Sequence, residues 1–239
     1  MKLDTLVFAA HPDDAELSCS GTILKQIEAG KKVGVIDLTR GELGTRGSAD
    51  QRGDEAEVSK NILGLHIREN LRMRDGFFIN DEEHQLQIIT VLRKYKPHIV
   101  LCNALCDRHP DHSEGSDLVI KSAFLSGLNK IETRVNDVVQ EAWRPPLVFQ
   151  YIQDTYIKPD ILIDITDVWD KKMDSIRAFK TQFFNPEDIK SDATYISSPD
   201  FLNIVESRAR ELGKNIGAKY AEGFTSKKLL GVNDLFNLK

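Results

Sequence analysis

No apolar run in the 239 residues approaches the roughly 20 that a helix needs to cross a bilayer, so a membrane-spanning helix is not expected. Residues 1–10 lack the apolar h-region of a signal peptide, which points to a cytoplasmic protein. Cysteine is scarce and odd in number. Cys19, Cys102 and Cys106 suit free thiols better than a disulfide framework, the first two as small core residues. Positive charge is in the minority, with 32 Lys and Arg against 37 Asp and Glu and a net charge of -5. Polyanion affinity rests on Lys and Arg neutralising phosphates, so a nucleic-acid partner is not expected. Internal repeats, low-complexity tracts and dividing linkers are missing too, and the length suits one domain over residues 1–239.

What is there alternates between strand and helix patterns. Residues 5–10 (TLVFAA) read as a short buried strand, residues 15–29 as a helix stopped by Gly30, and residues 32–38 as a second strand. A strand, a helix and a strand of these lengths form a right-handed βαβ unit with a parallel sheet. The theme continues with helices over 51–63 and 82–95, a strand over 98–102 and a helix over 114–126. Later come strands over 147–151 and 161–165, helices over 167–179 and 200–219, and a long Asn-, Pro- and Ser-rich loop over 184–199. The expected fold class is α/β, a Rossmann-like, mostly parallel sheet flanked by helices.

In such a sheet, ligands gather beyond the carboxyl ends of the strands. Two polar clusters fall there: His11-Pro12-Asp13-Asp14 after the first strand and His109-Pro110-Asp111-His112 after the strand ending at Cys102. A catalytic zinc site takes three protein ligands and keeps one position open, a count that His11, Asp14 and His112 meet. Asp13 is the candidate base for a metal-bound water, His109 the candidate partner of the developing oxyanion, and Asp111 a group able to orient an imidazole. A Cys2His2 structural zinc site from Cys102, Cys106, His109 and His112 is disfavoured by ligand spacing. An iron site with two His and one carboxylate uses the same ligand types and stays open, although Asp13 favours hydrolysis.

The loop Gly41-Glu42-Leu43-Gly44-Thr45-Arg46-Gly47 has the wrong spacing and place for a nucleotide fingerprint and reads as a substrate loop. Arg46, Arg52 and Arg108 are candidates for an anionic substrate group. Trp143 and Trp169 read as core residues.

The segments Ala10-His11-Pro12-Asp13-Asp14-Ala15-Glu16 and Arg108-His109-Pro110-Asp111-His112 resemble the two signature motifs of the LmbE-like (PIG-L) de-N-acetylase family. The stretch from Asp37 to Gly47, Arg52 before Glu55-Ala56, and the stretch from Ala221 to Lys228 look like its bacillithiol-biosynthesis subgroup. The resemblance implies Zn2+ on His11, Asp14 and His112, Asp13 as general base, and His109 supporting the oxyanion or the leaving amine. It also implies substrate contacts from Arg52, Arg108 and Tyr195. N-acetylglucosaminyl malate as substrate and a homo-hexamer follow from the same resemblance. Deacetylation of another amino sugar, and a metal-bearing sugar-binding module without turnover, are the alternatives.

Overall fold

The computed structural model describes residues 1–184 and 193–238. Its chain opens with β1 (Thr5–Ala9), α1 (Asp14–Glu28) and β2 (Val33–Thr39). Every residue of the two strands is buried, as expected of central parallel strands covered on both faces. Next come α2 (Ala49–Leu63), β3 (Ile67–Met73), α3 (Glu82–Tyr95), β4 (Ile99–Cys102) and α4 (Pro110–Leu125). A hairpin, β5 (Arg134–Val135) with β6 (Val138–Val139), precedes β7 (Leu147–Tyr151), β8 (Ile161–Asp164), α5 (Trp169–Arg177), α6 (Phe201–Lys214) and β9 (Ala221–Thr225).

Seven strands form one sheet in the order β3-β2-β1-β4-β7-β9-β8. The first five are parallel, and β9 runs antiparallel to both β7 and β8. The pleat divides the core. Val7 and Ala9 join the cluster under α1, α5 and α6, whereas Leu6 and Phe8 join Ile88, Leu92 and Leu118 of α3 and α4 on the other face. The chain leaves β1 on both sides, to β2 and to β4, so a crevice opens between their carboxyl ends.

The structure corrects several element boundaries. Helix α4 starts at Pro110 rather than 114, because Pro fits the first helical position and His109 caps it through Asp111 N–H. Helix α6 ends at Lys214 rather than 219, and Gly217 at φ 67° turns the chain back into β9. The helix expected over 167–179 begins as a 3-10 turn at Thr166–Val168 and becomes α-helical at Trp169. Strands β3 and β9 and the β5–β6 hairpin were not foreseen. Asn136 and Asp137 both take positive φ in that hairpin, the type I′ requirement. Of the loop expected over 184–199, residues 185–192 lie outside the described residues. Trp169 is buried and stacks on Tyr220 at 4.0 Å, while Trp143 is half-buried and donates to the Pro97 carbonyl. Cys19 and Cys102 are buried and Cys106 is exposed, all three as free thiols. Among the described residues no helix is long and apolar enough to cross a membrane.

Candidate metal centre and active site

The residues after β1 and β4 converge in the crevice between them. The ring nitrogens of His11, His109 and His112 lie within 4.8 Å of one another. Asp14 sits between two of the rings, its Oδ1 3.1 Å from His112 Nε2 and its Oδ2 3.6 Å from His11 Nδ1. The outer nitrogens face carboxylates: His11 Nε2 meets Asp75 at 3.0 Å and Asp111 at 3.2 Å, and His112 Nδ1 meets Asp107 at 2.5 Å. The imidazole that Asp111 meets is that of His11. Carboxylates on the outer nitrogens fix each ring's tautomer and turn His11 Nδ1 and His112 Nε2 toward Asp14.

His109 is held differently. Its Nδ1 accepts the Asp111 backbone N–H at 3.3 Å, which assigns the proton of the neutral ring to Nε2. Burial and the neighbouring His11 and His112 lower its pKa, which favours the neutral ring, and its nitrogen lies close enough to those of His11 and His112 for the three to share a metal ion. Burial opposes charge on His112 as well, yet Asp14 and Asp107 push its pKa up to about 9. Asp14 is held well below the usual carboxylate range despite its burial, chiefly by His112 and His11. Five carboxylates, Asp13, Asp14, Asp75, Asp107 and Asp111, thus surround three imidazoles.

Asp13 occupies the N-cap position of α1 at φ 120°, a strained value for a non-glycine residue, and its side chain does not cap the helix. Instead, Asp13 Oδ2 accepts from Arg52 Nη2 at 3.0 Å. Burial pushes its carboxyl up to about 7, Arg52 pulling down and Asp14 pushing up. Arg52 is itself buried and donates Nη1 to the Gly41 carbonyl at 3.2 Å. A Cβ on Gly41 would lie 1.7 Å from that Nη1, so the position excludes any side chain.

The three histidines, Asp13, Asp14 and Arg52 line one cavity of about 560 Å³. Arg46 is buried in its wall and donates Nε to the Thr181 carbonyl. Toward the mouth, Arg108 (side chain 52% exposed) lies over the Tyr195 ring at 4.8 Å. Both reach Asp154: Tyr195 Oη donates to Oδ1 at 3.0 Å and Arg108 Nε stands 3.4 Å from Oδ2. Arg208 Nη2 reaches the same Oδ1 at 3.2 Å.

The sequence profile of the PIG-L GlcNAc-PI de-N-acetylases matches residues 6–123. A diacetylchitobiose deacetylase of Thermococcus kodakarensis is 31% identical over 229 residues, covering 91% of this chain and 80% of its own. The chain belongs to the PIG-L de-N-acetylase family. Among solved structures, a conserved protein of Thermus thermophilus superposes with a TM-score of 0.85 at 32% identity, covering 97% of this chain and 98% of its own. An N,N'-diacetylchitobiose deacetylase from Pyrococcus horikoshii gives 0.78 at 28% identity, covering 92% and 82%.

The donor set of this PIG-L chain fits a divalent metal. Two imidazole nitrogens and one carboxylate converge, their outer atoms are fixed, and surplus negative charge surrounds them. Some groups of the site escaped the sequence reading: Asp75, Asp107, Asn103, Gln153, Asp154 and Arg208. Asn103 is the first residue past β4 and Gln153 the second past β7, so the strand-end rule that pointed to His11 also points to them. Arg52, expected to contact substrate, spends its guanidinium on Asp13 and Gly41.

Proposed function

We propose that this chain is a zinc-dependent deacetylase that hydrolyses the acetamide of an N-acetylglucosamine conjugate. The observation that supports the reading is the approach of His11 and His112 to Asp14 beside a strained, non-capping Asp13 whose carboxyl is pushed up to about 7 by burial. His11, Asp14 and His112 would hold the metal, which would supply an acidified water and polarise the acetyl carbonyl. Asp13 takes the proton from the attacking water and hands it to the departing amine, a task for which a base near pH 7 is suited. His109 donates Nε2–H to the carbonyl oxygen as negative charge develops there. Arg52 keeps the Asp13 carboxylate aimed and partly ionised. The cavity walls hold the sugar, and kinship with diacetylchitobiose deacetylases supports an amino-sugar substrate.

At the mouth, Arg108, Arg208 and Tyr195 gathered around Asp154 support an anionic aglycone, with N-acetylglucosaminyl malate as the preferred substrate. A chitin fragment is the second reading, favoured by the same kinship. A homo-hexameric cytoplasmic enzyme completes the proposal; equilibrium sedimentation tests the assembly. The deciding experiment follows loss of acetyl by mass spectrometry across N-acetylglucosaminyl malate, N,N'-diacetylchitobiose and free N-acetylglucosamine, using zinc-loaded protein. Deacetylation of the malate conjugate first among the three is expected. Absence of acetyl loss from every member of the panel would overturn the reading.

A further inference from the structure

Asp14 does not stand alone between its two histidines. Asn103, the first residue past β4, donates Nδ2 to Asp14 Oδ2 at 3.0 Å, and Gln153, two residues past β7, donates Nε2 to Asp14 Oδ1 at 3.1 Å. The orientation of both amides is forced by backbone partners. Asn103 Oδ1 accepts from Ala10 N at 2.9 Å and Gln153 Oε1 accepts from Ala104 N at 3.1 Å, so each NH2 must point inward. Asn103 Nδ2 also donates to Gln153 Oε1 at 3.0 Å, which ties the two amides to each other. All three side chains are buried, Asn103 at 0%, Asp14 at 3% and Gln153 at 4% exposure.

We infer that Asn103 and Gln153 are positioning residues that hold the Asp14 carboxylate in its metal-ligating orientation, an inference that rests on the metal reading above. A carboxylate between two imidazoles has two nearly equivalent oxygens and a rotatable χ2. With an amide on each oxygen the plane is fixed: Oδ2 also accepts the His11 backbone N–H at 3.0 Å, and Oδ1 keeps its other lone pair toward His112 Nε2 at 3.1 Å. The peptide that carries Gln153 serves the other ligand too: Thr155 N donates to Asp107 Oδ1 at 2.6 Å, and Asp107 Oδ2 holds His112 Nδ1. One short segment after β7 thereby orients two of the three ligands. Such outer partners are worth roughly 10- to 100-fold in metal affinity.

The test measures zinc affinity directly, by chelator competition with the whole chain and zinc alone. Gln153→Met keeps length and volume but removes the donor, and is expected to weaken zinc about tenfold or more. Gln153→Asn, which keeps the amide on a shorter side chain, is expected to lie between it and wild type. In an Asp14→Ala background Gln153→Met should cost nothing further, because its effect passes through Asp14. Excess zinc should restore kcat of Gln153→Met with KM unchanged. Affinity within about twofold of wild type, or an equal loss in the Asp14→Ala background, overturns the inference and leaves the metal reading intact. A wild-type chain that binds no zinc overturns both.

Discussion

Asp13 holds a backbone conformation that costs on the order of 1–3 kcal/mol and gives up the capping bond that would repay it. What the strain secures is a carboxylate aimed at Arg52 beside Asp14 rather than at its own helix. Asp13→Asn should therefore retain metal and lose roughly 10²- to 10⁴-fold in kcat, the usual worth of a general base. Near-wild-type turnover would remove Asp13 from that role. The base works deprotonated, so the rate rises with pH through its pKa. Burial sets that pKa at about 7, and a bound dication lowers it, which places the acid limb of kcat/KM between about 4 and 7. Arg52 pulls the same pKa down, so Arg52→Gln should move the limb to higher pH; a limb that stays or falls contradicts the assignment. On the proposed ligand assignment, His11→Ala, Asp14→Ala and His112→Ala should each lower bound metal below one ion per chain by elemental analysis, whereas His109→Ala should retain it.

At the scale of elements, charge explains what the sequence showed and what it hid. Strand β4 is a continuous apolar run and β1 is one after Thr5, and both were legible because no charge is buried in them. Strand β3 (IRENLRM) reads as surface, yet Arg68 forks onto Asp37 of β2 and Glu16 of α1, so its charge lies inside. Strand β9 carries Glu222, whose oxygens accept from Gly21 N, Thr22 N and Lys172 Nζ. A buried ion pair removes the alternation by which a strand is recognised. For the same reason the motif histidines were legible while Asp75 was not, since it follows the unseen β3. Lys172, 1% exposed, also donates to the Glu16 and Leu17 carbonyls and so binds α5 and β9 to the helix that begins at Asp14. Lys172→Met strands a buried carboxylate and should cost about 3–5 kcal/mol. Scanning calorimetry should then show Tm falling by roughly 6–20 °C. Lys214→Met breaks an exposed pair with Glu211 and should cost no more than about 1 kcal/mol. Equal shifts for the two would refute this account of β9.

Across the whole molecule the net charge is -5, so the surface as a whole does not favour an anionic substrate. Any preference for one must come from a local arrangement within about a Debye length, roughly 8 Å at physiological salt. The sequence offered Arg46, Arg52 and Arg108 for that task; the fold buries the first two and leaves Arg108 substantially exposed at the mouth, joined by Arg208 from α6. Asp154 already sits where two guanidiniums and the Tyr195 hydroxyl converge, which shows that a carboxylate fits their geometry. Arg108 and Arg208 share Asp154, and Asp107 also faces Arg208, so a substrate carboxylate competes with Asp154 for the two guanidiniums. One charge-assisted hydrogen bond contributes about 1.5–3 kcal/mol, so kcat/KM for N-acetylglucosaminyl malate should exceed that for its uncharged methyl glycoside by roughly tenfold or more. Arg108→Ala and Arg208→Ala should each shrink the ratio, mainly by losing rate on the malate conjugate, while the methyl glycoside changes little. Raised salt should narrow the ratio in wild type and leave it flat in the double variant. A wild-type ratio near one would remove the anionic aglycone and favour a neutral chitin fragment, with the proposal of zinc chemistry at His11, Asp14 and His112 unaffected.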